Sequence, residues 1–410
     1  MKILVLSTIY TAPNIKIENN TNVVHYFAKE WVKQGHEVYV IHNYPIYLRI
    51  FHILASFASE LIASKFNTSV TSFYQKVDYE YELDGVKVIR MPLFKPFPHG
   101  KVPKSSLNKQ IQKIFSFCDK NNFEPDIITS HNFYPHLEMV LKLNQNYFKK
   151  VKTCVVVHKQ NFNMLNFIAG KDYKRLIKNV DIWGYRSLPI KNDFESFIGL
   201  TPNYFMCYSG IPSHFLNRND VCKIEKPINK FVYVGSFIKR KYPEKILSAL
   251  QKTQIQDFYL SYVGDGVNRN EIEKIIKSYK WENKVHLYGF LQREKVPEII
   301  AKHQCFVMIS KEETFGLVYL EAMSMGCITI ASKNEGMEGI IIDGENGFLC
   351  TAGDDDELAS IINKINNLPE DDLNRISLNA KSTAIALTDE KVAQIYVNKI
   401  VNSTHNKYNG

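Results

Sequence analysis

The run Ser310–Gly326 (SKEETFGLVYLEAMSMG) holds three glutamates, of which Glu313 and Glu321 stand eight positions apart with a glycine between them. The apolar stretch Cys305–Ile309 before it reads as a strand buried on both faces, so Glu313 falls in the loop at its carboxyl end. Thr314, Phe315, Gly316, Leu317 and Val318 then turn into a helix whose first N–H groups have no partner inside it. Such a helix start attracts anions, and a diphosphate suits it. Gly316 removes a side chain where a ligand must come close to the backbone. Glu321 lies roughly 7 Å further along the helix axis, at ~1.5 Å per residue. That spacing brackets a nucleotide-sugar, with Glu313 toward the sugar and Glu321 toward the ribose hydroxyls. Taken alone, paired glutamates near a helix start also fit plain surface residues.

Two histidines occupy comparable places earlier in the chain. His131 follows the apolar run Asp126–Ser130 and His158 follows Cys154–Val157, so both stand at strand ends, where hydrogen-bonded surface residues also occur. Asp354-Asp355-Asp356 follows Gly353 and precedes a helical pattern, the position of an N-cap and an acidic first turn rather than of a metal site. The seven cysteines are scattered, without a C-x-x-C pair, which fits neither a disulfide framework nor zinc. A reducing cytosol is the expected home.

Elements must position these residues. Lys2–Ser7 reads as a strand, Val23–Lys33 as a helix capped by Thr21 or Asn22 and stopped at Gly35, and Val38–Ile41 as the next strand, a βαβ unit. After the polar stretch Asn217–Asn229 the alternation restarts with strands at Phe231–Val234, Tyr259–Val263, Lys284–Tyr288, Cys305–Ile309 and Ile328–Ala331. Helices near Glu244–Gln251, Arg269–Tyr279, Lys295–Ala301 and Leu317–Ser324 separate them. A single core seldom grows past roughly 250–300 residues, so 410 residues imply two domains. The expected architecture is α/β, two doubly wound domains at residues 1–200 and 217–385 with a ligand cleft between them. A terminal helix at 386–410 is expected to pack back on the first.

Charge separates the halves. Residues 1–200 hold 26 Lys+Arg against 16 Asp+Glu, and residues 201–410 hold 25 against 26. The basic half suggests an anionic partner, a membrane surface or a phosphorylated lipid, and equally fits a solvated lysine-rich surface. No nucleic-acid reader motif is present, so nucleic acid is set aside. Ile46–Phe66 is apolar but broken by Arg49, His52, Glu60 and Lys65, which excludes a span. It fits either an interfacial amphipathic helix or a helix buried under the first sheet. Met1–Leu6 is too short an apolar run for a signal peptide.

The 310–326 block resembles the E-x7-E signature of the family 4 retaining glycosyltransferases, with Ser310, Glu313, Phe315, Gly316, Leu317, Glu321, Ala322, Met323 and Gly326 matching. Val234-Gly235 with Lys241, Val263–Gly266, Val285–Gly289, Gly344–Phe348, Gly35–Val38 and Gly210–Phe215 resemble further segments of that family in the same order. The resemblance implies the GT-B fold, with a UDP-, GDP- or ADP-sugar donor on the second domain, the acceptor on the first, and no metal or other cofactor. It implies that Lys241 and Arg240 face the diphosphate, Glu313 the sugar hydroxyls and Glu321 the ribose. His131 would contact the donor sugar, and His158 would lie on the acceptor side. Two departures stand out: Ser236 replaces the usual arginine, and the first βα loop offers Thr21 and Asn22 where the family has glycine. The expected activity is retaining transfer of a hexosyl or N-acetylhexosaminyl group to a saccharide or lipid-linked acceptor. The expected setting is surface polysaccharide biosynthesis in the cytoplasm or on the cytoplasmic membrane face. A nucleotide-sugar 2-epimerase of the same fold and a catalytically silent nucleotide-sugar-binding protein share these features.

Overall fold

The computed structural model describes residues 1–11, 22–66, 76–98, 100–159, 173–201, 203–216, 222 and 224–403. It divides into two compact units, Met1–Arg186 with Ile190–Cys207 and Ala393–Gly410, and Ser187–Pro189 with Tyr208–Val392. The division falls between Cys207 and Tyr208. Cys222, Ile224 and Ile228, within the polar stretch read as a linker, are buried in the second core.

The first unit is built on eight strands: β1 Lys2–Ser7, β2 Glu37–Ile46, β3 Tyr79–Leu83, β4 Val86–Phe94, β5 Ile127–His131, β6 Lys152–Val157, β7 Ile182–Tyr185 and β8 Tyr204–Met206. Their spatial order is β3-β4-β2-β1-β5-β6-β7-β8. All neighbours run parallel except the β3–β4 hairpin, whose Asp84-Gly85 turn has positive φ at both residues, as a tight hairpin requires. Leu4, Leu6, Ile41 and Ile89 pack with α3 (Lys104–Lys120) and α4 (His136–Asn146) in one cluster. Trp31 of α1 (Val23–Lys33) is fully buried and its Nε1 donates to Ala393 O, so α1 lies against the helix Asp389–Val401. Burial on both faces explains why these strands read as unbroken apolar runs.

β2 extends past the expected Val38–Ile41 because its polar continuation is satisfied internally. Asn43 bonds His136 at 3.1 Å and accepts from Gln110 at 2.9 Å, so pairing with β4 continues to Ile46. Helix α2 (Arg49–Phe66) is not buried under the sheet over its first turns. His52 and Ala55 are buried, but Ile50, Ile53, Leu54 and Phe57 are 59%, 58%, 49% and 86% exposed. Asn22 holds the N-cap position of α1, yet its side chain makes no capping bond. Thr21 lies outside the described residues.

The second unit contains β9 Lys230–Val234, β10 Tyr259–Val263, β11 Val285–Gly289, β12 Cys305–Val307, β13 Ile328–Ser332 and β14 Phe348–Cys350. They form a wholly parallel sheet in the order β11-β10-β9-β12-β13-β14. Helices Pro243–Lys252, Arg269–Ser278, Leu317–Ser324 and Asp355–Asn367 connect or cover it. Asp354 caps the last of these, accepting from the N–H groups of Asp356 and Glu357, while Asp355 pairs with Lys245 and Lys252. The acidic triplet is therefore a helix start tied to its neighbours. All seven cysteines are buried and free.

Candidate active site

In the second unit β9 pairs with β10 on one side and β12 on the other, so successive connections diverge there. A doubly wound sheet opens its ligand crevice at the carboxyl ends of such strands. The loop after β9 carries Ser236 and a single turn Lys239–Lys241. The loop after β12 carries Ser310–Gly316 and leads into the helix Leu317–Ser324.

These two loops meet through charge. Lys241 Nζ lies 3.2 Å from Glu313 Oε2, with the side chains 15% and 16% exposed. Nζ also reaches Met308 Sδ at 3.8 Å. Among the described residues Glu313 Oε2 makes no bond of hydrogen-bond geometry, so the pair is held by coulombic attraction without a directional hydrogen bond. Arg240 turns toward the neighbouring loop instead: its Nη1 lies 3.4 Å from Lys311 O, and Lys311 N donates to Arg240 O at 2.7 Å. The Ser236 carbonyl accepts from the Tyr233 hydroxyl at 3.0 Å and from Ile238 N, which fixes the backbone where the family arginine would stand.

The helix start is uncapped. Gly316, at its N-cap, has φ +84° and no side chain to offer, so its orphan N–H groups remain available to a ligand. A Cβ on Gly316 would lie 2.5 Å from the Tyr319 ring. The Tyr319 hydroxyl donates to Met308 O at 2.7 Å, which ties the first helical turn to the end of β12. Phe315 is buried beside the Tyr208 ring, while Thr314, Leu317 and Val318 are half-buried. Glu335 braces the loop, accepting from Glu312 N at 2.9 Å and Glu313 N at 2.8 Å. Glu335 was not legible beforehand; its only signal is the glycine density around it.

Glu321 is 5% exposed. Arg293 Nε donates to its Oε1 at 2.9 Å and Nη2 lies 2.7 Å from the same oxygen. Both contacts fall on Oε1, which leaves Oε2 for a hydroxyl donor. Burial pushes the Glu321 carboxyl above its ordinary range, and Arg293 opposes that shift. Arg293 also lies 5.6 Å from the Phe215 ring centroid. Sequence spacing did not reveal Arg293, since it sits in an unremarkable polar stretch distant from the glutamate.

In the first unit His131 and His158 are brought together, Nδ1 to Nε2, at 3.0 Å. His131 is wholly buried, between the Phe27 ring and Tyr396, whose hydroxyl is 3.5 Å from Nε2. Burial, then the neighbouring His158 and Arg186, depresses the His131 imidazolium. Burial and Arg186 push His158 down to about 3. Both rings are therefore neutral at working pH. Residues 12–21, which include Thr21, lie outside the described residues.

Two doubly wound α/β units, the second opening a basic loop and an uncapped helix start at its switch point, have the architecture of the GT-B fold. A structure of Anabaena HepE in complex with UDP matches the chain with TM-score 0.66 at 17% identity, over 98% of this chain and 100% of that one. Residues 219–383 match the family described as "Glycosyl transferases group 1". It is 24% identical over 240 residues to the N-acetyl-alpha-D-glucosaminyl L-malate synthase of Bacillus anthracis, over 56% of this chain and 62% of that protein. It is 28% identical over 148 residues to the lipopolysaccharide core biosynthesis glycosyltransferase LpsE of Rhizobium meliloti, over 36% of this chain and 42% of that protein. The matched segments thus span less than two thirds of these relatives.

Proposed function

We propose that the chain is a family 4 retaining glycosyltransferase moving a hexosyl or N-acetylhexosaminyl group from UDP-, GDP- or ADP-sugar to a saccharide or lipid-linked acceptor. Surface polysaccharide biosynthesis is the setting this reading gives it. The observation that carries it is the Lys241–Glu313 pair beside the uncapped helix start at Gly316. A donor diphosphate would draw Lys241 to itself and accept from the helix-start amides. That frees Glu313 to accept from sugar hydroxyls, while Glu321 Oε2 accepts from the ribose.

The chemistry follows from these placements. The bond from the anomeric carbon to the diphosphate oxygen breaks, and the acceptor oxygen bonds that carbon on the same face. The acceptor proton passes to the departing diphosphate. Fixed positive charge at the leaving group is the largest electrostatic contribution expected of such a site, and Lys241 with the helix start supplies it, so the reading needs no metal or other cofactor. His131 and His158 enter this scheme only through rearrangement of their buried pair.

No helix among the described residues is long and apolar enough to cross a membrane. The stripe Ile50, Ile53, Leu54 and Phe57, exposed at helical spacing, supports peripheral attachment to a cytoplasmic anionic membrane surface. Residues 46–57 and 94–104 around it contain Arg49, Lys95, Lys101 and Lys104 and no Asp or Glu. The test is incubation with UDP-, GDP- and ADP-sugars and saccharide acceptors, with and without EDTA, followed by proton NMR of the product. A product of retained anomeric configuration, formed equally with chelator, is expected. An inverted product, or a free nucleotide-sugar epimer formed without acceptor, overturns the reading.

A further inference from the structure

In the first unit Ser7, His42, Arg90 and His131 stand in one register row across β1, β2, β4 and β5. β1 and β5 end at this row, so it lies at the carboxyl edge of the sheet. Arg90 is 5% exposed and His42 2%. Among the described residues, Arg90 Nε and Nη1 have no hydrogen-bond partner, and neither has His42 Nδ1. The guanidinium carbon lies 4.4 Å from the Tyr44 ring centroid, and among the described residues the groups acting electrostatically on Arg90 are the phenols Tyr44 and Tyr81. A buried guanidinium without an anion is costly, because its N–H groups lose water and gain nothing. Such orphaned atoms in a native fold call for a missing partner.

The roles of the orphaned atoms specify that partner. His42 Nε2 lies 3.2 Å from Thr8 O. A carbonyl only accepts, so Nε2 carries the proton and Nδ1 presents a lone pair. Burial, with Arg90 beside it, pushes the His42 imidazolium down to about 3, so the ring stays neutral. Side by side on one face of the sheet, then, are two cationic N–H donors and one bare acceptor. A carboxylate or sulfate satisfies the donors but has no proton for Nδ1. A phosphate monoester monoanion offers both, charged oxygens for Arg90 and a P–O–H for His42. Thr8–Thr11 covers the cluster, touching His42 through Thr8 O and Tyr81 through Thr11 O. Ile9 within it is exposed, so the cluster lies one layer below solvent.

We propose that Arg90 and His42 form a phosphate-monoester site at the carboxyl edge of the first sheet, and that it holds a phosphate carried by the acceptor. This deepens the glycosyltransferase reading by giving the acceptor a class. Three probes distinguish the source: inorganic phosphate, a hexose phosphate and a short polyprenyl phosphate. Thermal melting of the full chain is followed with each, and with sulfate at matched ionic strength, at about pH 6, where a phosphate monoester keeps its second proton half the time. A saturable rise in melting temperature is expected with at least one phosphate probe, and an apparent affinity at least about tenfold weaker for sulfate. Arg90→Met removes the guanidinium at similar length. An apolar replacement of an unmatched buried charge is well tolerated, so it should melt no lower without ligand and lose the phosphate response. Should it fail to fold, Arg90→Lys keeps a point charge without the fork and should show the same loss in part.

Equal responses to sulfate and phosphate overturn the proposal. So does a response unchanged in both variants, or a wild-type chain indifferent to all three probes. UDP, GDP and ADP responses are measured in parallel and should survive Arg90→Met. Their absence in the wild type would count against the donor reading while leaving a phosphate result standing.

Discussion

Glu321 depends on Arg293 for its charge. The carboxyl is raised by burial and lowered by the guanidinium, so removing Arg293 raises it further. Its ionised form is what a ribose hydroxyl needs, and hydrogen bonds to charged groups are worth about 1.5–3 kcal/mol. Glu321→Gln should therefore weaken nucleotide binding by roughly tenfold or more, measured by calorimetric titration. The sign with pH follows: as pH falls through the raised value, which lies above the ordinary 4.5, the carboxyl protonates and nucleotide affinity drops. In Arg293→Met the drop should begin at higher pH, and Arg293→Lys should restore part of the shift. A pH profile unmoved by Arg293→Met would sink the positioning role. Lys241 acts differently, because its charge matters most as the diphosphate departs. Lys241→Ala should lower kcat by about 10²–10³ with a smaller change in KM. A loss confined to KM would place the ammonium on the ground state alone.

At the scale of elements, the helix Leu317–Ser324 is where sequence and fold agree most closely, and the reason is local. Gly316 stands at φ +84° with the Tyr319 ring closing on its missing Cβ, so backbone and side-chain constraints mark the start in the sequence itself. Gly316→Ala combines left-handed strain with that clash, and should cost about 1–3 kcal/mol along with nucleotide affinity. Unchanged melting and binding would show that the start tolerates a side chain. Five of the six strands of the second sheet were legible, β12 and β13 because burial on both faces leaves an unbroken apolar run, whereas the three-residue β14 was too short to stand out. The β3–β4 hairpin was not, although Asp84-Gly85 is a turn signal, because Tyr79–Leu83 carries the exposed residues of an edge strand. The Glu335 brace and the Arg293–Glu321 pair were illegible, as they join residues distant in sequence that no spacing rule connects. For α2 the apolar residues were visible, but which of them face outward was not. Phe51, half-buried beside Tyr47, is not on the exposed stripe. Replacing Ile50, Ile53 and Phe57 with Ser should weaken binding to anionic vesicles, by ~25 cal/mol per Å² of apolar surface lost, with little change in melting temperature. A large fall in melting temperature with vesicle affinity intact would mean that the stripe packs on protein.

At the scale of the whole molecule, the chain does not finish in the unit that carries the family match. Residues 219–383 lie in the second unit, yet from Ala393 onward the chain belongs to the first. That return is a core contribution rather than a surface tail. Tyr396 is fully buried, meets Thr129 at 2.7 Å, and packs edge-on against Phe27 and Trp31. Buried aromatic pairs of this kind contribute about 0.5–1.5 kcal/mol each beyond the area they bury. Removing residues 393–410 should therefore damage the first unit selectively, because the second keeps its sheet and its nucleotide loops. Scanning calorimetry of the full chain and of the truncated one, each with and without UDP, GDP and ADP, separates the two. The nucleotide that binds should raise a transition that both forms share, and the truncated form should lose or lower the other. A truncation that abolishes the nucleotide-responsive transition as well would mean that the two cores do not melt independently, and that the second unit needs the first in order to hold its site.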